Sequence, residues 1–308
     1  MTAARLGDLA VHLGLLLLLP PLLPGLIAKT KAVAAGRRGP PILQLYRDIG
    51  KLLGKGAVYS NTTTWLFRAG PVVSLAAVLA AGLLLPLLAR APFGFAGDVI
   101  VFAYLLGLGR FFTMVAALDT GSSFEGMGAS REAAFSALAE PTLFLVLAIL
   151  CLPAKGPSFA AAFSALPWQT WLAAHPPLIA AAVALFIVLL SENSRIPIDD
   201  PNTHLELTMI HEVMVLDHGG PDLAFILYGS AVKLFLFAAL LVHVLIPVHG
   251  RVAGLPAFLL GMVAVAVAVG IVESITARLR LLRVPQFLVG AGVVAVLGLL
   301  VLVFRGTP

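Results

Sequence analysis

The sequence contains a single cysteine, Cys151, and few charged residues, which make up 11% of its 308 positions. One thiol cannot form an internal disulfide or hold an iron–sulfur cluster by itself, because such clusters take several cysteine ligands. The chain also contains no HExxH zinc motif, no phosphate-binding P-loop and no dinucleotide-binding glycine fingerprint. These absences argue against the commonest classes of metal, nucleotide and redox enzyme.

Long hydrophobic runs are abundant, since 60% of the residues are hydrophobic. Roughly 18 or more consecutive apolar residues span a bilayer as a helix, and a soluble domain does not need several such runs. We therefore predict an all-α polytopic membrane protein that forms a single integral membrane domain over residues 1–308. About eight membrane helices are predicted, at residues 9–28, 65–88, 98–118, 130–152, 177–190, 223–246, 252–276 and 285–304.

The distribution of basic residues predicts the orientation of these helices. Lys and Arg gather between Lys29 and Arg68 and in further loops on the same side of the membrane. Because such loops stay in the cytoplasm, we expect an N-out and C-out protein of the cell inner membrane, with its main charged loops cytoplasmic and no nucleic-acid partner. Apolar residues from Ile42 to Leu53 recur at helical spacing and predict one short amphipathic helix in the interface. A solvated basic loop is the alternative for that segment.

The densest group of ionisable residues lies between Ser191 and Gly220. Beside a membrane, each such group costs free energy unless it is solvated, paired or used. Two prolines interrupt a helix in this stretch, so Asp199 and Asp200 are expected on an extended turn. His204 and His211 do not have a recognised zinc spacing, and no metal site is predicted.

Three ionisable residues are predicted inside membrane helices. Glu140 lies ten residues after Ser130, the predicted N-cap of the fourth helix, and therefore about 15 Å along the axis, near the middle of the bilayer. A carboxylate at that depth is protonated, paired or wetted, as in proton pathways. A structural hydrogen bond beside Pro141 is the alternative. Arg110 and Lys233 are candidate partners of Glu140, and snorkelling to the interface is the alternative for both.

A polar loop is predicted between the third and fourth helices, from Asp119 to Glu132. Its charged residues include Glu125 and Arg131. Because this loop and the stretch Ser191–Gly220 are predicted on the same side, we expect their opposite charges to pair.

Two long motifs resemble one family of membrane proteins: GMGASREAAFSALAEP at Gly126–Pro141 and ENSRIPIDDPNTHLELTMIHEVMVLDHGG at Glu192–Gly220. ALDTGSS at Ala117–Ser123 and QLYRDIGKLLGK at Gln44–Lys55 are similar to the same family. It is the family of formate hydrogenlyase subunit 4 and hydrogenase-4 component C, related to the quinone-chamber membrane subunit of respiratory complex I. The similarity covers essentially the whole chain.

The resemblance implies a non-catalytic subunit of an oxidoreductase complex, without a redox centre or cofactor of its own. The nickel–iron centre and the iron–sulfur clusters are expected in partners, namely the hydrogenase large and small subunits and an iron–sulfur protein. Antiporter-like membrane subunits would complete the complex. Glu140 matches the helix glutamate of the family's acidic channel. The family's charged loop corresponds to a segment that holds Glu192, Arg195, Asp199 and Glu206.

The same segment departs from complex I, because PIDDP and THLEL replace its acid-rich sequence. This departure favours the hydrogenase branch over quinone binding. The expected function is therefore a membrane anchor and ion-coupling subunit of a membrane-bound nickel–iron hydrogenase of the formate hydrogenlyase type. A quinone- or ferredoxin-linked complex I-type subunit, an independent ion transporter and a purely structural anchor are the alternatives.

Two groups of residues are expected to carry this function. Those expected to couple proton or sodium movement are Glu140, Glu192, Lys233, Arg110, Asp199, Glu206 and Glu212. Those expected to dock the soluble module or order the loops beneath it are Asp119, Glu125, Arg131, Arg195, Asp200, His204 and His211.

Overall fold

The computed structural model describes residues 3–88, 90–154, 156–165, 175–199, 209–246 and 251–305, and within those ranges it is helical without strands. The α-helices are α1 (Ala3–Leu18), α2 (Leu22–Ala34), α3 (Gln44–Leu53), α4 (Trp65–Leu84), α5 (Asp98–Asp119), α6 (Ser123–Cys151), α7 (Phe159–Ser164), α8 (His175–Glu192), α9 (Gly220–Leu245), α10 (Arg251–Ile275) and α11 (Val284–Arg305). Two short 3₁₀ helices, Glu212–Val215 and Leu281–Arg283, lie in the connections. The predicted all-α fold class is thereby confirmed.

Within the described ranges, six helices are long and apolar enough to cross a membrane: α4, α5, α6, α9, the greater part of α10, and α11 with the short helix before it. The pair α1 and α2 passes the same test together but is bent by 47°, which gives up to seven spans. The apolar part of α8, Pro176–Glu192, is shorter. The chain is therefore a multi-pass membrane protein, while the count of eight helices and the N-out orientation stay predictions.

The first membrane segment is broken, whereas the sequence predicted one helix over residues 9–28. Pro21 lacks the backbone N–H that would bond to Leu17 four residues earlier, so the helix cannot continue through it. The carbonyl oxygens at the break are instead paired by side chains from elsewhere. The Tyr228 hydroxyl donates to the Leu17 oxygen at 2.9 Å, and the Tyr46 hydroxyl donates to the Leu18 oxygen.

The predicted start of the fourth membrane helix is also wrong. The helix α6 begins at Ser123, after the N-cap Ser122, and the expected polar loop shrinks to a turn. Ser130 is not a cap, because it lies inside the helix and its hydroxyl donates to the Met127 carbonyl. Gly128 suits this extra helical stretch, since a Cβ there would lie 2.3 Å from the Val213 side chain. Gly128, one of the glycines that suggest a loop, thus allows close packing against the connection between α8 and α9.

The other predicted elements lie near their expected positions. The amphipathic segment forms α3, from Gln44 to Leu53, as predicted for the interface. The helices α4 and α5 pack against each other along their lengths, and α9 contacts α3, α4, α8 and α10. Because α9 is central, 67% of its most apolar window is buried by other parts of the chain. This position carries its lysine, Lys233, into the interior.

Candidate functional site

Arg110 on α5 is the centre of a buried ionic cluster. Its Nη2 lies 2.8 Å from both carboxylate oxygens of Glu192, at the end of α8. Its Nη1 pairs with Glu140 on α6, and its Nε lies 3.3 Å from Glu132 on the same helix. The planar guanidinium presents donors in several directions, so a single cation joins three carboxylates from two helices.

Lys233 on α9 extends the cluster from a fourth helix. Its Nζ lies 2.7 Å from Oε2 of Glu192. Glu192 therefore receives two cations at the C-terminal end of α8, where the helix dipole alone would disfavour a carboxylate. Of the two predicted partners of Glu140, Arg110 pairs with it, whereas Lys233 pairs with Glu192.

His211 joins this cluster to Asp199, in the segment that links α8 to α9. Its Nε2 lies 3.1 Å from Oε2 of Glu132, and its Nδ1 lies 3.5 Å from Oδ2 of Asp199. The other Asp199 oxygen pairs with Nη2 of Arg278, beyond α10, at 2.8 Å. The result is a continuous series of opposite charges from the connecting segments to the middle of α6. We call it the ionic chain; its members are Arg278, Asp199, His211, Glu132, Arg110, Glu140, Glu192 and Lys233.

The protonation of His211 decides the net charge of the ionic chain. The other members are three cations (Arg278, Arg110, Lys233) and four carboxylates (Asp199, Glu132, Glu140, Glu192), so a charged imidazole balances them. Burial lowers the pKa of His211, but the carboxylates of Glu132 and Asp199 outweigh burial and raise it above the ordinary value of 6.5.

The Asp199 carboxylate shows the reverse shift. Burial raises its pKa, but hydrogen bonds from His211 and the nearby Arg278 outweigh burial and lower it below the ordinary value of 3.8. Asp199 also accepts hydrogen bonds from the backbone N–H groups of Ile210 and His211, both at 3.2 Å. Both pKa shifts favour the ion pair, because they widen the pH range over which Asp199 is charged and His211 is protonated.

A second ionic group lies beside the first and fixes the same connection. Glu273 on α10 is buried, and it lies 2.8 Å from Nζ of Lys31 and 3.5 Å from Nη1 of Arg195. Nearby, the backbone N–H of Leu279 donates to the Pro197 carbonyl at 2.8 Å. The side chains of Arg195 and Asp199 thus make ion pairs inside the subunit, and Asp199 is buried. Their docking role stays a prediction, and in this geometry it would act through the shape of the connection.

The residues of the predicted polar loop from Asp119 to Glu132 mostly hold helices and connections together. Asp119 accepts hydrogen bonds from the backbone N–H groups at Thr64 (2.7 Å) and Phe67 (3.2 Å), at the start of α4. The buried Glu125 accepts from the Asp217 N–H at 3.1 Å. Arg131 donates to the Met209 carbonyl at 2.8 Å. The two regions are therefore in contact through hydrogen bonds to backbone groups, and opposite charges from the two regions meet at Glu132 and His211.

The remaining predicted residues can be located only in part. Glu212 starts the 3₁₀ helix Glu212–Val215 and is half-buried. Asp200, His204 and Glu206 lie outside the described residues. In the part of the chain that is described, no three His, Cys, Asp or Glu side chains are grouped in a way that could hold a metal ion.

Sequence reasoning missed four members of these two ionic groups: Glu132, Arg278, Glu273 and Lys31. Glu273 carried a usable signal, because it is an acid inside an apolar run, as Glu140 is. Glu132 lies at the end of the predicted polar loop, and its place beside Arg110 depends on the earlier start of α6 at Ser123. Lys31 and Arg278 lie in basic segments that the orientation rule already explained.

Comparisons with known proteins identify the family of this chain. Residues 8–304 match the protein family described as NADH dehydrogenase. Hydrogenase-4 component C of Escherichia coli (strain K12) is 35% identical over 282 residues, which are 88% of this chain and 87% of that protein. Formate hydrogenlyase subunit 4 of the same organism is 31% identical over 275 residues, 86% of this chain and 88% of that protein.

The fold also matches a solved structure. A chain of the membrane-bound sulfane sulfur reductase, an archaeal respiratory membrane complex, superposes with a TM-score of 0.81 and 23% identity, over 96% of this chain and 98% of that chain. The likeness carried by the two long sequence motifs is thus confirmed over nearly the whole chain. This multi-pass membrane protein belongs to the NADH dehydrogenase family.

Proposed function

We propose that the protein is the membrane anchor and ion-coupling subunit of a membrane-bound nickel–iron hydrogenase complex of the formate hydrogenlyase type. The names of the two E. coli relatives support the complex. The ionic chain supports the coupling role, and it is the observation on which that role depends. It runs from the connections at Arg278 and Asp199 to Glu140 inside a membrane helix.

Coupling between two distant sites needs a structural element that has two arrangements, and both sites must be able to shift the equilibrium between them. The connection between α8 and α9 fits this need, since it is attached by ionic contacts that a docked module can shift. His211 lies at the junction, between Asp199 of the connection and Glu132 of α6. Moving the connection away from α6 would remove the imidazolium from Glu132 and leave a negative charge on the ionic chain. A proton or another cation would then be drawn towards Glu140.

In this function, the oxidation or production of hydrogen takes place in other subunits. The nickel–iron centre and the iron–sulfur clusters belong to the hydrogenase large and small subunits and to an iron–sulfur protein. These would dock on the cytoplasmic face of the inner membrane, where the connection between α8 and α9 lies in the proposed orientation. Antiporter-like membrane subunits would carry the ions, and this chain would have no redox centre of its own.

Purification in mild detergent tests the proposal directly. When the subunit is expressed with its genomic neighbours, hydrogenase subunits and antiporter-like subunits should co-elute with it at fixed ratios. Elution of the subunit alone from membranes that contain those proteins would overturn the proposal. Ion flux in liposomes that contain only this subunit would also overturn it, in favour of an independent transporter.

A quinone- or ferredoxin-linked oxidoreductase of the complex I type is the second candidate. It is favoured by the description of the matching family, NADH dehydrogenase. The same purification separates the two candidates. Quinone in the purified complex, with hydrogenase subunits absent, would select this alternative.

A further inference from the structure

A cavity of about 230 Å³ lies between α1, the segment that follows α4 and the start of α10. Asp8 and His12 line it from α1, Arg90 from the segment after α4, and Leu255 from α10. Leu255 and Glu273 lie near opposite ends of α10, about 27 Å apart along its axis at 1.5 Å per residue. Since the hydrocarbon core is about 30 Å thick, the cavity lies near the membrane surface opposite to the Glu273 group. We call it the interfacial cavity.

The wall of the interfacial cavity carries an acid, a base and an imidazole. The Arg90 guanidinium presents several N–H donors in a planar fork that suits phosphate oxygens. The Asp8 carboxylate has about four acceptor sites, so it can accept a hydrogen bond from a ligand in addition to contacts within the protein. Nε2 of the buried His12 lies 3.0 Å from the Gly82 carbonyl oxygen. Because that oxygen only accepts, Nε2 is the donor, and in the neutral ring Nδ1 remains an acceptor.

The rest of the cavity wall is apolar and continues onto the surface of α1. Val11 and Leu87 line the cavity beside the polar groups. Val11 and Leu18, about two helical turns apart, are 47% and 66% exposed, so an apolar strip runs from the cavity towards the middle of the membrane. A site that encloses a drug-sized molecule has about 300–1,000 Å³. This smaller cavity therefore suits the headgroup of a lipid whose acyl chains stay outside it.

We infer that the interfacial cavity binds the headgroup of a phospholipid that carries a primary ammonium, as phosphatidylethanolamine does. The phosphate accepts hydrogen bonds from Arg90, the ammonium donates to Asp8 and His12, and an acyl chain lies along the apolar strip of α1. In the predicted N-out orientation this lipid belongs to the outer leaflet. The inference goes beyond the proposed function, because the residues that carry it are not members of the ionic chain.

The chemistry of the cavity wall separates this lipid from other membrane ligands. Phosphatidylcholine has the same phosphate and a positive charge, but its trimethylated nitrogen has no N–H to donate. Phosphatidylglycerol has no cation for Asp8, and the additional carboxylate of phosphatidylserine would be repelled by the Asp8 carboxylate. A quinone carries no charge that would match either Asp8 or Arg90.

Photolabelling in nanodiscs tests the site. The protein is purified with the subunits that accompany it and placed in phosphatidylcholine nanodiscs. These contain a trace of either phosphatidylethanolamine or phosphatidylcholine with a diazirine on an acyl carbon near the glycerol, and mass spectrometry maps the adducts after irradiation. The phosphatidylethanolamine probe should label peptides that contain Val11 or Leu255 several-fold more than the phosphatidylcholine probe does. Equal labelling by the two probes, or no labelling of these peptides, would overturn the inference.

Two substitutions test the assigned contacts. Arg90→Gln should lower labelling by the phosphatidylethanolamine probe roughly 10-fold, because hydrogen bonding to a charged phosphate is weakened. Asp8→Asn should lower labelling by that probe and leave labelling by the phosphatidylcholine probe little changed, which removes the preference. Arg5→Gln is the matched control, since Arg5 is exposed on the same helix and lies outside the cavity wall.

The control separates a binding site from a general attraction of headgroups to basic residues. Equal losses of labelling in Arg5→Gln and Arg90→Gln would show such a general attraction and overturn the inference. Unchanged labelling in Arg90→Gln would overturn it as well. Because the two probes are compared on the native protein, a variant that fails to fold leaves that comparison decisive.

Discussion

At the scale of single residues, Arg110 holds three carboxylates that come from α6 and α8. Removing one partner of a buried ionic network leaves uncompensated charges and typically costs about 3–5 kcal/mol. We therefore expect Arg110→Ala to lower the thermal stability of the subunit strongly. Arg110→Lys should recover only part of the loss, because an ammonium is a compact charge that lacks the guanidinium's planar fork. Thermal unfolding of the purified protein in detergent measures both effects.

The matched control for Arg110 is an exposed arginine at the start of α4. Arg68 lies over the Tyr59 ring, 4.3 Å from its centroid. Such contacts are worth only about 0.5–1 kcal/mol at exposed sites, so Arg68→Ala should change the melting temperature little. Equal losses for Arg110→Ala and Arg68→Ala would show that the ionic chain does not stabilise the fold.

His211 should make the stability of the subunit depend on pH. Its folded pKa is raised above 6.5 because Glu132 and Asp199 outweigh burial and the nearby Lys233. A raised folded pKa gives stability that is fully present below pH 6.5 and is lost as pH rises through the folded value. The advantage of the native protein over His211→Gln should therefore shrink as pH rises above 6.5. Melting temperatures measured over a pH series test this.

His218 provides a control of opposite sign on the same connection. Burial lowers its pKa below 6.5 and outweighs the neighbouring Asp222 and Asp217, and its ring stacks on Phe67. A lowered folded pKa gives stability that is lost as pH falls through 6.5. The advantage of the native protein over His218→Gln should thus shrink on acidification. The same pH slope for both substitutions would contradict the assigned shifts.

At the scale of elements, the segment after α10 holds the connection between α8 and α9. Arg278 pairs with Asp199, and the Leu279 N–H donates to the Pro197 carbonyl. We expect Arg278→Ala to loosen residues 193–199, because Asp199 loses a cation while remaining buried. Hydrogen exchange of the peptide that contains these residues should become roughly 10-fold faster, which corresponds to about 1.4 kcal/mol.

Arg280 is the matched control for this test, since it lies two residues further on and is exposed. Arg280→Ala should leave the exchange of residues 193–199 unchanged. Unchanged exchange in Arg278→Ala as well would mean that the ionic contact does not hold the connection.

The elements differ in how well their sequences predict them. The helix α5 was predicted from Asp98 to Leu118 and ends at Asp119, because a long apolar run leaves little freedom. The start of α6 was missed because Gly126 and Gly128 favour a loop locally, and the close approach of Val213 that makes glycine suitable is a tertiary contact. The break after α1 has a local cause in Pro21, but the tyrosines that pair with its carbonyl oxygens, Tyr46 and Tyr228, are distant in sequence.

The candidate site was predictable in its residue types more than in its pairings. Glu140 and Arg110 stand out in the sequence because each is an ionisable residue inside an apolar helix. In the structure these two residues pair. Which carboxylate Lys233 would meet depends on the rotation and packing of α9 against α8, and the sequence of one helix does not contain that information. The same holds for Glu273, which joins residues from α2 and from the connection after α8.

At the scale of the whole molecule, the ionic chain and the Glu273 group join elements that are far apart in sequence. The contacts of Arg278, Asp199 and Arg195 concentrate on the connections that follow α8 and α10. From there the ionic chain reaches Glu140, which lies in the wall of a cavity of about 590 Å³ between α5 and α6. A module that docks on those connections would therefore contact one end of the ionic chain, whose other end is Glu140.

Substitution of Glu140 by glutamine tests the proposed coupling most directly. Gln keeps the shape of the side chain and its capacity to accept a hydrogen bond, but it cannot take up or release a proton. Asp98→Asn, at a carboxylate outside the ionic chain that accepts backbone hydrogen bonds from Phe95 and Phe159, is the matched control. Both variants are compared in membranes that contain equal amounts of assembled complex.

The measurement is ion pumping driven by hydrogen turnover, beside dye-linked hydrogenase activity in the same membranes. With Glu140→Gln, the dye-linked activity should persist, because oxidation and reduction occur in another subunit. Pumping should fall by roughly 100-fold, the lower end of what a positioned acid–base group contributes, while Asp98→Asn retains both activities. Normal pumping in Glu140→Gln would contradict the coupling role and leave Glu140 as a structural partner of Arg110.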